Sequence, residues 1–407
     1  MDEIEERVRR LLEQRLAAGA FSGAAVAVAV DGRTAFAFEL GHAASVDASG
    51  ETIDTDAREP VTPDTLFDLA SLTKVFSAHT LLRLVERGVL ELERPLADTV
   101  AEYRDVAKAG VTLEHLLTHT SGLPATWHGW EPPLRAALAA LPDDAPALMD
   151  SPLVDSSSWG REALHRELLR TPLEAAPGER FEYACTGYNT AMVVAERASG
   201  RPWHELVRAE TLDPLGLAES DVRFDPPAER AAATELQPQL HRGLVRGRVH
   251  DETAWALGGR CANAGLFGTA RAVLAFTEAI REGRGSIFGE LMWRNRLAGI
   301  TGRPVTRGGY GASLGLRIGQ LGMMGRHAAA ARGHTGFTGT SLQTDREAGI
   351  SIVLLTNRVH PTREGGAFEG TRAAVADAVY EGLGRGSGTA RSAARAAGGA
   401  SGTEGVR

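Results

Sequence analysis

Residues 67–88 read FDLASLTKVFSAHTLLRLVERG. Leu72, Val75, Phe76, Leu82 and Val85 recur at helical spacing, with Val89 just beyond, and Gly88 stands where a helix would stop. The spacing predicts one long helix with Ser71 and Lys74 in its first turn. Residues at i and i+3 share a helical face, with Cβ atoms roughly 5–6 Å apart, so a proton can pass between hydroxyl and amine. A helix N-terminus adds partial positive charge and free N–H groups, which favour an alkoxide and a neighbouring oxyanion. Ser71 is thus a candidate nucleophile and Lys74 its candidate base. Ser-x-x-Lys alone also fits two ordinary polar residues on a helix, so the rest of the chain must decide.

With 407 residues, 43% of them hydrophobic, the chain can bury one large core or two connected subdomains. A formal charge of −8 and the lack of a concentrated basic run argue against a nucleic-acid surface. Residues 1–19 form a charged amphipathic pattern with Ile4, Val8, Leu11, Leu12 and Leu16 inward, lacking a signal peptide's apolar core. No later run reaches membrane-spanning length, so a cytoplasmic protein with no membrane partner is expected. The two cysteines, Cys185 and Cys261, fit a reducing compartment and exclude a disulfide scaffold.

Residues 21–40 carry two apolar runs around Asp31-Gly32, a hairpin signal. Thr112 can cap a short helix that ends at residues 121–124, SGLP. Helices are expected over 190–198, stopped by Gly200, over 204–215, from about Thr269, and over 370–383; strands are expected over 310–318, 339–344 and 350–357. Residues 384–407 are mostly Gly, Ala, Ser and Arg and are expected to be disordered. The order is sheet, helical middle, sheet. Strands from both ends of the chain forming one antiparallel sheet, with a helical subdomain inserted, would leave a cleft at the joint. The expected boundaries are a single catalytic domain over 1–383, its sheet part about 1–70 and 225–383 and its helical part about 71–224.

Other patterns admit two readings. His115 and His119 have metal-ligand spacing, but Leu116 stands where His-Glu-x-x-His has its glutamate, so a structural role is expected and no metal. Consecutive His250, Asp251 and Glu252 point in diverging directions and read as a loop network. Trp127, Trp130 and Trp159 lie in an irregular Ala- and Pro-rich segment; they either cover the core or wall a substrate pocket.

Four ordered stretches, LASLTKVF at 69–76, LLTHTSGLP at 116–124, PGERFEY at 177–183 and GHTGFTG at 333–339, resemble the serine β-lactamase and penicillin-binding-protein family, in its class C-like branch of esterases, D-peptidases and transacylases. The resemblance spans roughly residues 20–383. It implies an α/β fold of α+β type, an antiparallel sheet flanked by helices with the active site beside a helical subdomain, and no cofactor. Tyr183 stands where the family's second motif has its tyrosine, and His334-Thr335-Gly336 matches the third motif on a strand opposite the serine. By this resemblance Ser71, Lys74, Tyr183 and His334 are the catalytic set, and the backbone N–H groups of Ser71 and Phe337 form an oxyanion hole. Each such donor is typically worth about 10²–10³ in rate.

Cys185 departs from the family's usual asparagine. A thiol is a weak donor and a poor acceptor, so recognition of an acylamino side chain is put in doubt. Cys261 departs again, in GGRCANAGLFGTA; both thiols line one cleft or are simply small buried groups. Cys185, Gly336, Trp130 and Arg363 are the candidate substrate contacts, and Arg358, His360 and Arg363 follow the last strand near where relatives hold a substrate carboxylate. The implied activity is hydrolysis of a small ester or amide through an acyl-Ser71 intermediate, with esterase favoured over β-lactamase. The alternatives are acyl transfer to an amine or alcohol, and a sensor that binds without turnover.

Overall fold

Asp31 and Gly32 both adopt positive φ, 50° and 82°, the mirror-image turn that suits a two-residue hairpin. It joins strands β1 (Gly23–Val30) and β2 (Arg33–Gly41), which open the main sheet. The structure is a computed structural model describing residues 1–142, 144–155, 159–284 and 289–385. Residues 386–407, most of the segment expected to be disordered, lie outside the described residues.

Further strands are β3 (Phe67–Asp68), β4 (Val222–Phe224), β5 (Leu266–Gly268), β6 (Gly311–Ala312), β7 (Arg317–Ile318), β8 (Arg332–Thr335), β9 (Ser341–Asp345) and β10 (Ile350–Thr356). The helices that matter for the site are α1 (Asp2–Ala17), α2 (Thr73–Glu86), α3 (Leu113–Leu117), α4 (Cys185–Ser199), α5 (Glu252–Ala256), α6 (Ala270–Glu282) and α7 (Thr371–Gly382). The seven-stranded main sheet runs β2-β1-β10-β9-β8-β7-β6, antiparallel throughout. Strands from both ends of the chain therefore meet inside it, where Val28 pairs with Ile352. β3, β5 and β4 form a separate three-stranded sheet.

Both faces of β1 are buried, which is why its sequence, GAAVAVAV, is a continuous apolar run. Val26, Val28, Ile352 and Leu354 face α1 and α7 through Ile4, Val8, Leu12, Val375 and Val379. Ala25, Ala27 and Ala29 belong to the other core with Phe276 and Ile280 of α6. Small alanines on that face let α6 lie close, and its Phe276 stacks on Phe76 of α2.

The stretch 67–88 differs from the expected single helix. Phe67 and Asp68 pair with β5, Ala70–Leu72 make one 3₁₀ turn, and the α-helix begins at Thr73. The cause is local: Ala70 takes φ +46°, which an α-helix cannot contain, and the buried Asp68 carboxylate accepts the Ala70 N–H at 2.8 Å. Residues 73–82 of α2 are buried on every side, as befits a helix apolar nearly all round. The expected helix over 190–198 starts five residues earlier, so Cys185 is its first residue. Of residues 310–318 only two dipeptides are strand. Trp127 and Trp130 are packed in the core that α2 and α6 share, which the sequence left open. No helix among the described residues is long and apolar enough to cross a membrane.

Candidate active site

Ser71 lies in the turn between β3 and α2, and Lys74 one turn on. Lys74 is fully buried; its Nζ donates to Ser71 Oγ at 3.0 Å and to the Asn263 carbonyl at 2.9 Å. That carbonyl comes from a tight loop in which Gly265, at φ +120°, passes so close to the Gly259 carbonyl that a Cβ would sit 2.1 Å from it. Tyr183 packs beside Lys74, whose Nζ stands 5.1 Å from the centre of the phenol ring. Burial alone would lower the Lys74 pKa. The negative charge that Cys185, Tyr183 and Asp251 can carry around it outweighs burial and holds the ammonium above its ordinary range. Lys74 thus favours its charged form in the resting site.

β8 delivers the third motif. Gly336 is pressed against the nucleophile's turn, where a Cβ would meet Thr340 Oγ1 at 2.1 Å and the Leu69 carbonyl at 2.6 Å. Thr338 Oγ1 donates to the Asp68 carbonyl at 2.7 Å, and Thr340 Oγ1 to the Leu69 carbonyl at 3.0 Å. Asp68 Oδ2 also accepts the His250 N–H at 2.7 Å. This lacing ties the turn after β8 to the turn that carries Ser71.

His334 is buried behind Tyr183, ring centres 5.8 Å apart, and its Nδ1 lies 2.8 Å from the Thr335 carbonyl. Burial and the Arg317 charge hold its pKa well below the ordinary histidine value, so the ring is neutral, with Nδ1 donating and a buried Nε2 that has no partner among the described residues. His119, read as structural, packs on Tyr183 at 4.6 Å and accepts the Ala184 N–H at Nδ1. His115 completes the cap of α3 with Thr112.

Ser71 and Tyr183 border a cleft of about 600 Å³, whose lining leaves out Lys74, His119 and His334. Its lining includes Ser71, Tyr183, Cys185, Asp251, Phe337 and Gly336. Cys261 is outside that lining: it is fully buried with Sγ 3.5 Å from the Ala254 carbonyl, and burial pushes its thiol pKa up. Both cysteines are free. Trp130 is likewise absent from the lining, because its indole is packed in the core with Nε1 donating to Thr253 Oγ1. It does not reach the substrate space as expected.

Arg363 lines the cleft but is held at 2.8 and 2.7 Å from the two Glu235 oxygens and also pairs with Glu252. His250 completes that network through Glu235 at 2.8 Å and stacks on Phe337. His360 is buried, with Nδ1 on the Thr234 carbonyl, and lines no part of the cleft. Of the arginines lining the cleft, Arg317, Arg358 and Arg372 have no carboxylate partner among the described residues. They bond instead to Gln320 and Thr335, to the Phe337 carbonyl, and to the Gly336 and Thr340 carbonyls. Arg317 and Arg372 went unread in the sequence, since neither belongs to a motif and only the sheet order and α7 bring them to the serine.

The Beta-lactamase family model matches residues 8–376. Among curated relatives, Esterase EstB of Burkholderia gladioli is 32% identical over 80% of this chain and 85% of its own length. The N-acetylmuramyl-L-alanine amidase of Bacillus subtilis is 26% identical over 93% of this chain and 88% of its own. Among solved structures, EstCE1, described as a hydrolase with promiscuous acyltransferase activity, superposes with a TM-score of 0.69 at 22% identity, covering 93% of this chain and 99% of that one.

Proposed function

We propose, for a chain that belongs to the Beta-lactamase family and is a serine hydrolase or transacylase of it, that Ser71 is acylated by a small ester or amide and that water then releases the acid. The observation that carries this reading is the Ser71–Lys74 hydrogen bond of 3.0 Å beside Tyr183 at the wall of an open cleft. Ser71 Oγ attacks the carbonyl carbon while its proton passes to the Lys74–Tyr183 pair. The developing oxyanion is met by the N–H groups of Ser71 and Phe337, and the proton is then given to the leaving alcohol or amine. Water repeats the sequence in reverse on the acyl-enzyme.

Esterase is favoured over β-lactamase. A thiol at Cys185, at the cleft, cannot match the two-way hydrogen bonding an asparagine offers an acylamino group. The likeness to EstB agrees with this preference. Arg317, Arg358 and Arg372 make donors with a carboxylate the better ligands. Steady-state kinetics on matched acidic and neutral esters tests this: the acidic donor has the lower KM, and the advantage shrinks as salt is added. Equal KM values at low salt would contradict it.

The second reading is transfer to an amine or alcohol acceptor, supported by the openness of a cleft large enough for donor and acceptor together. Product partitioning with rising acceptor concentration separates the two, because unchanged hydrolysis across a panel of amines and alcohols removes transfer.

A further inference from the structure

We propose that Asp251 is a positioning residue for Lys74 that acts through Asn263: its carboxylate holds the Asn263 side chain, and the Asn263 carbonyl in turn holds the lysine Nζ on Ser71. This rests on the reading of Ser71 and Lys74 given above. Asp251 Oδ1 accepts from Asn263 Nδ2 at 3.2 Å, while Lys74 Nζ donates to the Asn263 carbonyl at 2.9 Å and to Ser71 Oγ at 3.0 Å. The cap residue of α5 is thus joined to the nucleophile by hydrogen bonds in series.

The segment between α5 and β5 needs such a tie. Gly258, Gly259 and Gly265 all take positive φ there, in a backbone with little stiffness of its own. Ser77 Oγ donates to the Ala262 carbonyl at 2.9 Å, and Asn189 Oδ1 accepts the Asn263 N–H at 3.2 Å. Both bonds go to the peptide that precedes the Asn263 Cα. The next anchor is Leu266, whose N–H donates to Thr73 Oγ1 at 3.2 Å. Between these anchors the Asn263 Cα and its carbonyl are steadied by the side chain. That side chain is wholly buried, and its Oδ1 has no partner among the described residues, so Nδ2 on Asp251 is what holds it.

A carboxylate suits this place for two reasons. Its Oδ1 accepts the Ala254 N–H at 2.7 Å as well as the Asn263 amide, so one oxygen caps α5 and holds the loop. Its charge also favours the ammonium form of Lys74, the form that donates to the Asn263 carbonyl. Glu252, the next residue, is committed elsewhere, to Arg363 and Gln237. The loop network read in the sequence at residues 250–252 therefore divides, with His250 and Glu252 serving the Arg363 side of the cleft and Asp251 serving the lysine.

The test follows turnover of an activated neutral ester. Asn263→Ala, which leaves the α5 cap in place, is expected to lower kcat about tenfold with KM nearly unchanged. Asp251→Ala is expected to lose as much, and the double variant no more than about twofold beyond either single one. Asp251→Asn keeps an oxygen that can accept both bonds and is expected to stay within about threefold of the unaltered protein. In a Lys74→Ala background, with acyl-Ser71 formation followed by mass spectrometry where turnover is slow, Asn263→Ala is expected to cost less than about twofold. An unchanged kcat in Asn263→Ala, losses that multiply in the double variant, an Asp251→Asn loss as large as that of Asp251→Ala, or an equal Asn263→Ala loss with and without Lys74 would each overturn the proposal. If the unaltered protein forms no Ser71-dependent adduct with any donor, the acyl-enzyme reading itself fails, an outcome distinct from these.

Discussion

Gly336 shows how one missing Cβ positions the nucleophile. With Thr340 Oγ1 and the Leu69 carbonyl inside 3 Å of where that atom would be, Gly336→Ala must push β8 away from the Ser71 turn. We expect a stability loss of about 2 kcal/mol and at least a tenfold fall in kcat, read by denaturant melting and ester turnover. A variant with normal kcat would mean that the contact does not set the geometry. Cys185 makes a different prediction, because it faces the cleft rather than the fold. Cys185→Asn restores a group that can both donate to and accept from an acyl amide, so activity on acylamino donors should rise relative to simple esters by about tenfold. An unchanged ratio would show that this position does not read the acyl group.

At the scale of elements, the turn after β8 is tied to the turn before α2 by the Thr338 and Thr340 hydroxyls. Removing both, as Thr338→Val with Thr340→Val, takes one hydroxyl donor from each of the Asp68 and Leu69 carbonyls and loosens the turn that carries Phe337. The expected result is a kcat loss on the order of 10²-fold with a much smaller change in KM, checked by steady-state kinetics beside a melting curve. Most elements that build this joint were legible in the sequence. Asp31-Gly32 required a mirror-image turn, and the motif glycines and the Ser71, Lys74 and Tyr183 types each had a chemical reason to stand where they do. β3 was not legible, since two strand residues ahead of a helix keep the apolar spacing of a helix and only the positive φ of Ala70 breaks it. Trp130 could not be assigned because a large aromatic in an irregular segment has the same composition whether it faces core or cleft. Arg317 was hidden because a two-residue strand carries no periodicity.

The whole molecule carries an acid-sensitive set of histidines. Burial holds His79 at a pKa of about 4, His165 at about 3 and His360 at about 4, and pushes His119 and His334 well below their ordinary value. Folded values below unfolded ones mean that the unfolded chain binds these protons first. Stability is therefore full above about pH 6.5 and falls as pH drops toward 4, on the order of 1–2 kcal/mol per histidine by pH 5. The Glu235 carboxylate, despite burial, is held below its usual range by His250 and Arg363, so its contribution survives that window and is lost only in stronger acid. Denaturant titrations at pH 7.5 and pH 5 measure the difference, and equal midpoints would contradict neutral burial. The central claim, an acyl group on Ser71, has a more direct test: intact-protein mass spectrometry after brief exposure to activated esters and a penicillin, beside Ser71→Ala. The account predicts an adduct that forms and decays with the esters, accumulates less with the penicillin, and is absent from the variant. No Ser71-dependent adduct and no donor turnover in the same samples would contradict it.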